Sequence, residues 1–156
     1  MKLTTPHSFQ TPSHQISESL TYYLTAHVLN LNLDLYMPSL DDASTGLSSC
    51  IDGVTSLIKL HDRAVYTHLT SLKCEGTYWL MRWITTIFSR EFDMPEVVRI
   101  WDVFLTNERI TPYICCAMVC LVRNTILQED FAGCLELLQN YPQEVDVEDV
   151  LNGAKG

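Results

Sequence analysis

Arg82, Arg90 and Arg99 share a run of 21 residues, Arg82–Asp102, with the carboxylates Glu91 and Asp102 and with Trp83 and Trp101. Carboxylates flanked by guanidinium groups are the raw material of an acid/base pair. No nucleophile system of Ser, Cys and His accompanies them inside the segment, so covalent catalysis has nothing to start from. Outside it, His61 and His68 share a helix face seven residues apart but lack a third ligand, which argues against a metal site. The six cysteines contain no CxxC spacing. Cys115, Cys116 and Cys120 lie on one very apolar segment, while Cys50, Cys74 and Cys134 are scattered. Such thiols are expected to be buried and free, in a reducing compartment, with no cofactor.

The elements that position these residues follow from apolar spacing. Residues 1–15 are polar and predict a flexible tail. From Ile16 a helix is expected to about 39, of uncertain affiliation, with Leu20, Tyr23, Leu24, Val28 and Leu31 at helical spacing. Pro38 to Gly46 predicts a loop. A second helix fits Leu47–Leu60 and a third follows Asp62, stopping near Cys74-Glu75-Gly76. The fourth is expected from Thr77 to Glu91, with Leu80, Trp83, Ile84, Ile87 and Phe88 in one stripe. Asp93 and Glu96 bracket Pro95 at capping-box spacing, opening a fifth helix to Leu105. Helix six, Pro112 to Leu127, is apolar on every face through Val122 and is expected at the centre of the core. Asp130 opens helix seven, Tyr141-Pro142 ends it, and a short helix is expected within Asp146–Leu151. No segment has strand period, so the fold class is all-α, with about seven to eight helices.

On this helix pattern Glu91 falls within the apolar stripe of helix four. A carboxylate facing the core needs a strong partner. Arg99, or the free N–H groups of the next helix's first turn, are the candidates. Trp101 needs an acceptor for its indole N–H, either Asp102 or a nearby carbonyl. Structural roles, and no catalytic ones, are therefore expected for Glu91, Arg99, Trp101 and Asp102.

Composition narrows the partners. The net charge is −9, and seven acids with no base lie between Asn124 and Ala154. Such a surface repels phosphate backbones and anionic headgroups, so nucleic acid is excluded as a direct partner, as is binding to anionic lipid. The longest apolar run, Tyr113–Val122, is too short to span a bilayer, and the N-terminus lacks a secretory pattern, so a cytoplasmic protein is expected.

The segment RWITTIFSREFDMPEVVRIWDVF resembles the C-terminal half of the TBC domain, the GTPase-activating domain for Rab-type small GTPases. That family shows an Arg-Trp, an Arg-Glu-Phe and an Arg-hydrophobic-Trp-Asp at these intervals, and the resemblance implies structural, not catalytic, roles for the matching Arg82, Trp83, Arg90, Glu91, Phe92, Arg99, Trp101 and Asp102. The flanks are similar too: Asp62-Arg-Ala-Val-Tyr-Thr-His-Leu69 upstream, Ile126 to Phe131 and Leu137 to Pro142 downstream. The resemblance covers roughly Leu40 to Lys155 and implies a TBC-like C-terminal helical lobe over 40–156. It implies a Rab-type GTPase as partner, a place in vesicle traffic, and attachment to endomembranes only through partners.

The same resemblance locates the family's activity elsewhere. Its arginine finger belongs to an Ile-x-x-Asp-x-x-Arg motif and its glutamine to a Tyr-x-Gln motif, both in the N-terminal half. Neither occurs here. No arginine precedes Asp62, and the only upstream glutamines are Gln10 and Gln15. The expectation is a truncated GTPase-activator scaffold that is not itself an enzyme. The alternative is a non-catalytic helical interaction module that binds a GTPase or another partner. A truncated domain would expose apolar surface where the missing half should pack, covered in part by helix 16–33 or by self-association, whereas a complete small module is expected to be a monomer.

Overall fold

A computed structural model describes residues 12–33 and 46–155. The chain divides after Leu33 into two units, and each is described by itself. The expected loop 38–46 lies outside the described residues except for Gly46, as do residues 1–11 of the expected tail.

The first unit is one helix, α1, Pro12–Leu31. It begins four residues ahead of Ile16, because proline at the first helical position costs no hydrogen bond and fixes a helical φ. The predicted stripe is largely uncovered: Leu20, Tyr23 and Leu24 are 57%, 70% and 44% exposed. At its end Asn32 donates from Nδ2 to the carbonyl of Val28 at 2.8 Å.

The second unit opens with α2, Leu47–His61, whose buried positions are Ile51, Val54 and Ile58. Asp62 caps α3, Arg63–Ser71, accepting the N–H groups of Ala64 and Val65 at 3.1 Å each. The end of α3 is a Schellman closure: Cys74 N–H donates to Leu69 O at 2.9 Å and Lys73 N–H to Thr70 O at 3.1 Å. The closure needs a left-handed residue, and Lys73 supplies it at φ 57°. A 3-10 turn, Gly76–Tyr78, follows. Its glycine is required by space, since a Cβ there would lie 2.9 Å from Leu80 Cδ1 and 3.1 Å from Ile51 Cγ2.

The expected fourth helix is much shorter than its apolar stripe. α4 covers Leu80–Thr85 only, preceded by the 3-10 turn and followed by turns. All five stripe residues are nonetheless buried, Ile87 at 5% exposure and the others at 1% or less. A second Schellman closure ends α4, with Phe88 N–H on Trp83 O at 3.0 Å and Ile87 N–H on Ile84 O at 3.3 Å. Ile87 and Phe88 then both have positive φ, 48° and 61°. Periodicity did not reveal the stop, because nothing in the residue types announces a left-handed pair here.

α5 runs Met94–Thr106, with the Glu96 carboxylate accepting Asp93 N–H at 3.2 Å as the capping-box spacing predicts. α6, Thr111–Leu121, is buried on most faces and packs against α2, α4 and α9 (Val147–Gly153), the central place expected of it. The expected helix six is however two helices. The chain leaves helical geometry at Val122 (φ −96°, ψ 13°) and resumes as α7, Arg123–Ile126. α8, Phe131–Gln139, is capped by Asp130, which accepts Gly133 N–H at 3.0 Å. Asp146 caps α9 by accepting Glu148 N–H at 2.8 Å. The described residues thus form nine α-helices where about seven to eight were expected, and contain no strand. Among them no helix is long and apolar enough to cross a membrane.

Lys73 is exposed and holds a conformation in which a side chain costs roughly 1–2 kcal/mol. Glycine removes that cost and returns part of it as unfolded-state entropy. Lys73→Gly should stabilise by about 0.5–1 kcal/mol, read as a melting temperature higher by roughly 2–4 °C. An unchanged or lower melting temperature would contradict the strain assigned to this turn.

Candidate functional site

Two residues of the sequence motif, Arg82 and Trp83, converge on the C-terminal end of α8. Its last carbonyls have no partner within the helix and carry the negative end of its dipole. Two consecutive side chains of α4 supply donors. Trp83 Nε1 donates to Leu138 O at 3.1 Å, and Arg82 Nη2 donates to Gln139 O. The same guanidinium donates from Nε to Glu91 Oε1 at 2.7 Å. Arg82 therefore links α4, the turn after it and the end of α8.

This corrects the expected partner of Glu91, which is neither Arg99 nor the first turn of α5. The closure at Ile87 and Phe88 reverses the chain, so Arg90, Glu91 and Phe92 fold back beside Arg82 instead of projecting toward α5. Gln143 adds a tie from the other side, donating from Nε2 to Glu91 O at 3.0 Å. The Glu91 side chain is fully buried while that of Arg82 is 32% exposed. Burial pushes the Glu91 carboxyl above its ordinary range, and Arg82's charge and hydrogen bond offset only part of that. Its second oxygen, Oε2, is buried without a hydrogen-bond partner, consistent with a costly ionised form.

Aromatic rings fill the space around this pair. Trp83 meets Trp79 edge-on at 4.8 Å and Tyr141 at 5.5 Å, and Phe92 meets Tyr141 at 5.7 Å. Tyr141 is anchored to the central helix by its hydroxyl, which donates to Met118 O at 2.9 Å. Trp101 finds its acceptor in the carbonyl of Ile87, at 3.0 Å, and not in Asp102, which is exposed. Arg99 instead reaches α9, donating to Glu148 at 2.6 and 3.4 Å. Both partners are nearly half exposed, and a solvated pair of that kind contributes little. Arg90 is exposed beside the cluster.

The motif reading missed Trp79, Tyr141 and Gln143. Trp79 lies one helical turn before Trp83, a spacing that signals an aromatic pair; Gln143 carries no signal in sequence. Most polar groups of the cluster are engaged, while Trp79 Nε1, like Glu91 Oε2, is buried without a hydrogen-bond partner. Its acid is paired with its base, and the hydroxyl of Tyr141 is committed to a carbonyl. His68 is held by the Glu129 carbonyl at 2.9 Å. Among the described residues no group of three His, Cys, Asp or Glu is placed to hold a metal ion.

Comparison with known proteins bears on this arrangement. The model of the Rab-GTPase-TBC domain matches residues 4–127, starting well before Leu40, where the motif resemblance begins. TBC1 domain family member 13 of Homo sapiens is 32% identical over 142 residues, taking in 89% of this chain and 35% of that protein. TBC1 domain family member 5 homolog B of Dictyostelium discoideum is 35% identical over 94 residues, 58% of this chain and 9% of that protein. The crystal structure of the Ypt/Rab-GAP domain of Gyp1p superposes with a TM-score of 0.78 at 22% identity, a likeness of fold. It covers 93% of this chain and 46% of that one. The chain thus spans about a third of its human relative's length.

The pairing of Arg82 with Glu91 sets a pH-dependent expectation. Arg82→Ala leaves a buried carboxylate uncompensated and should destabilise by about 3 kcal/mol near neutral pH. A carboxyl whose folded pKa is raised favours the fold when protonated, and that contribution is lost as pH rises through the folded pKa. The deficit of the variant should therefore shrink from neutral to mildly acidic pH, as Glu91, its carboxyl held above the ordinary range, takes up its proton. Glu91→Gln removes the charge but keeps an acceptor, and should cost only about 1–2 kcal/mol. Urea unfolding of both variants at neutral and mildly acidic pH checks this, and a pH-independent Arg82→Ala deficit would contradict a buried ionised Glu91.

Proposed function

The chain belongs to the Rab-GTPase-TBC domain family, and we propose that these 156 residues serve as helical scaffold for a Rab-type GTPase-activating domain while supplying no catalytic finger. In this role Arg82, Trp83, Arg90, Glu91, Phe92, Arg99, Trp101 and Asp102 act as framework. The support is the bonding of Arg82. A finger must leave its own domain to neutralise charge on the transferring phosphoryl group. Arg82 turns inward and is held by Glu91 and the Gln139 carbonyl, so extending it would strand a buried carboxylate. Arg99 and Arg123 are engaged as well, with Glu148 and Asp62. No arginine precedes Arg63, and neither Gln10 nor Gln15 follows a tyrosine at the family's spacing.

The partner in this proposal is a Rab-type small GTPase, met in the cytoplasm and at endomembranes through that partner. Self-association of the scaffold is part of this proposal, and its support lies in α1. The exposed Leu20, Tyr23 and Leu24 give an apolar stripe that a second copy of the chain can cover.

In single-turnover assays with Rab proteins the chain should leave GTP hydrolysis within about twofold of the intrinsic rate, where a finger would give about 10³-fold or more. Acceleration of that size would overturn the scaffold role. Light scattering should show a dimer that Leu20→Glu with Tyr23→Glu returns to monomer, and a monomeric parent chain would remove the self-association proposal.

A further inference from the structure

A cleft of about 340 Å³ lies between α2, α3 and the 3-10 turn that follows α3. Its apolar wall comes from Ile51 and Ile58 on one face of α2 and from Leu69 on α3, all three buried. Trp79 stands in the same lining, 2% exposed, and its Nε1 is buried without a hydrogen-bond partner. Trp83 and Trp101 each donate to a carbonyl, so Trp79 alone of the three leaves its donor unused. An unpaired buried N–H is costly, and a cleft lined by one favours an occupant that brings an acceptor.

The other polar groups say what accompanies that acceptor. Thr55 and Thr70 also line the cleft, and their hydroxyls donate to the Ile51 and Tyr66 carbonyls at 2.8 and 2.7 Å. A hydroxyl whose proton is spent offers only oxygen lone pairs. The charged residues of the lining are Asp52, Glu75 and Lys73, two acids and one base. That balance disfavours a carboxylate as the group that meets Trp79. An amide fits all of this: its carbonyl accepts, its N–H donates, and it carries no charge. An amide beside a large apolar side chain is the repeating unit of a polypeptide.

We propose that this cleft binds an extended peptide segment of a partner protein, seating one leucine-sized side chain against Ile51, Ile58 and Leu69. A main-chain carbonyl of the segment accepts from Trp79 Nε1, and a main-chain N–H donates to a threonine oxygen. Nε1 is covered while the cleft is empty, so the exposed turn at Glu75 and Thr77 gives way as the carbonyl seats. Neither Arg82 nor Glu91 lines the cleft, and the inference does not rest on the scaffold role.

The test adds N-acetyl-leucinamide, or the tripeptide N-acetyl-alanyl-leucyl-alaninamide, to the intact chain labelled with nitrogen-15. After sequential assignment of the three indole N–H signals, that of Trp79 should move downfield and those of Trp83 and Trp101 far less. Half-saturation by the single residue is expected on the order of 1 mM, the affinity of a fragment of its size. The tripeptide should bind several-fold more tightly, and the free acid N-acetyl-leucine several-fold more weakly. Thr55→Val combined with Thr70→Val keeps the indole and removes both acceptors, and should weaken binding by about three- to tenfold, the worth of one hydrogen bond. An unmoved Trp79 signal at about tenfold the expected half-saturation would overturn the proposal. Parent-like binding by the threonine variant, or equal binding of the free acid, would remove the amide pairing. Equal affinity for the tripeptide and the single residue would identify a small amide ligand and exclude a peptide.

Discussion

The C-terminal carbonyls of α8 must be satisfied inside the fold, and much of the second unit's packing follows from how that is done. Two adjacent residues of α4 answer two adjacent carbonyls, Trp83 at Leu138 and Arg82 at Gln139. Only a residue pair combining an indole N–H with a guanidinium offers both donors along with the volume to fill the gap between helices. Placing the guanidinium there brings a positive charge to the negative end of a helix, which is favourable, but leaves its remaining donors to be used. Glu91 takes one of them. The carboxylate is thus the consequence of the arginine, and the arginine the consequence of the helix end.

Bringing Glu91 back to Arg82 requires a sharp reversal after α4, and the backbone carries the strain of it. Ile87 and Phe88 sit at positive φ, where a β-branched residue is rare and a left-handed conformation costs of order 1–3 kcal/mol. Glycine would relieve the strain but would lose two side chains that are 5% and 0% exposed. Burial of a large apolar side chain contributes about 1.5–3 kcal/mol, enough to favour isoleucine and phenylalanine over glycine. The Trp101 indole secures the result by occupying the Ile87 carbonyl. Strain, burial and the tie to α5 therefore meet at one turn.

These relations explain what was legible in the sequence. The period of apolar residues gave the burial of Leu80, Trp83, Ile84, Ile87 and Phe88 correctly, because burial depends on residue type and approximate direction. The same period gave the wrong extent for the helix, because a Schellman closure made by isoleucine has no compositional mark. Glu91 was recognised as buried and partnered, yet its partner was misplaced by the same error: on a continuous helix it faces α5, and after a reversal it faces Arg82. Caps at Asp62, Asp93, Asp130 and Asp146 were within reach because their chemistry is local. The roles of Tyr141 and Gln143 depend on contacts across 23 and 52 residues, which one sequence does not display.

Tyr141 joins the aromatic cluster to α6. Its hydroxyl rests on the Met118 carbonyl, between Cys116 and Cys120 in sequence, while its ring touches Trp83 and Phe92. Beyond Cys120, Arg123 is tied to the Asp62 cap at 2.5 Å, fixing the end of α6 to the junction of α2 and α3. The last turn of α6 is thus held on one side by the cluster that closes α8 and on the other by the cap that starts α3. The central helix has little freedom between these ties, because most of its residues are buried and close-packed interiors leave no room for displacement without moving neighbours. The aromatic surroundings of the Arg82–Glu91 pair and the central helix, distant in sequence, are therefore linked through a single tyrosine.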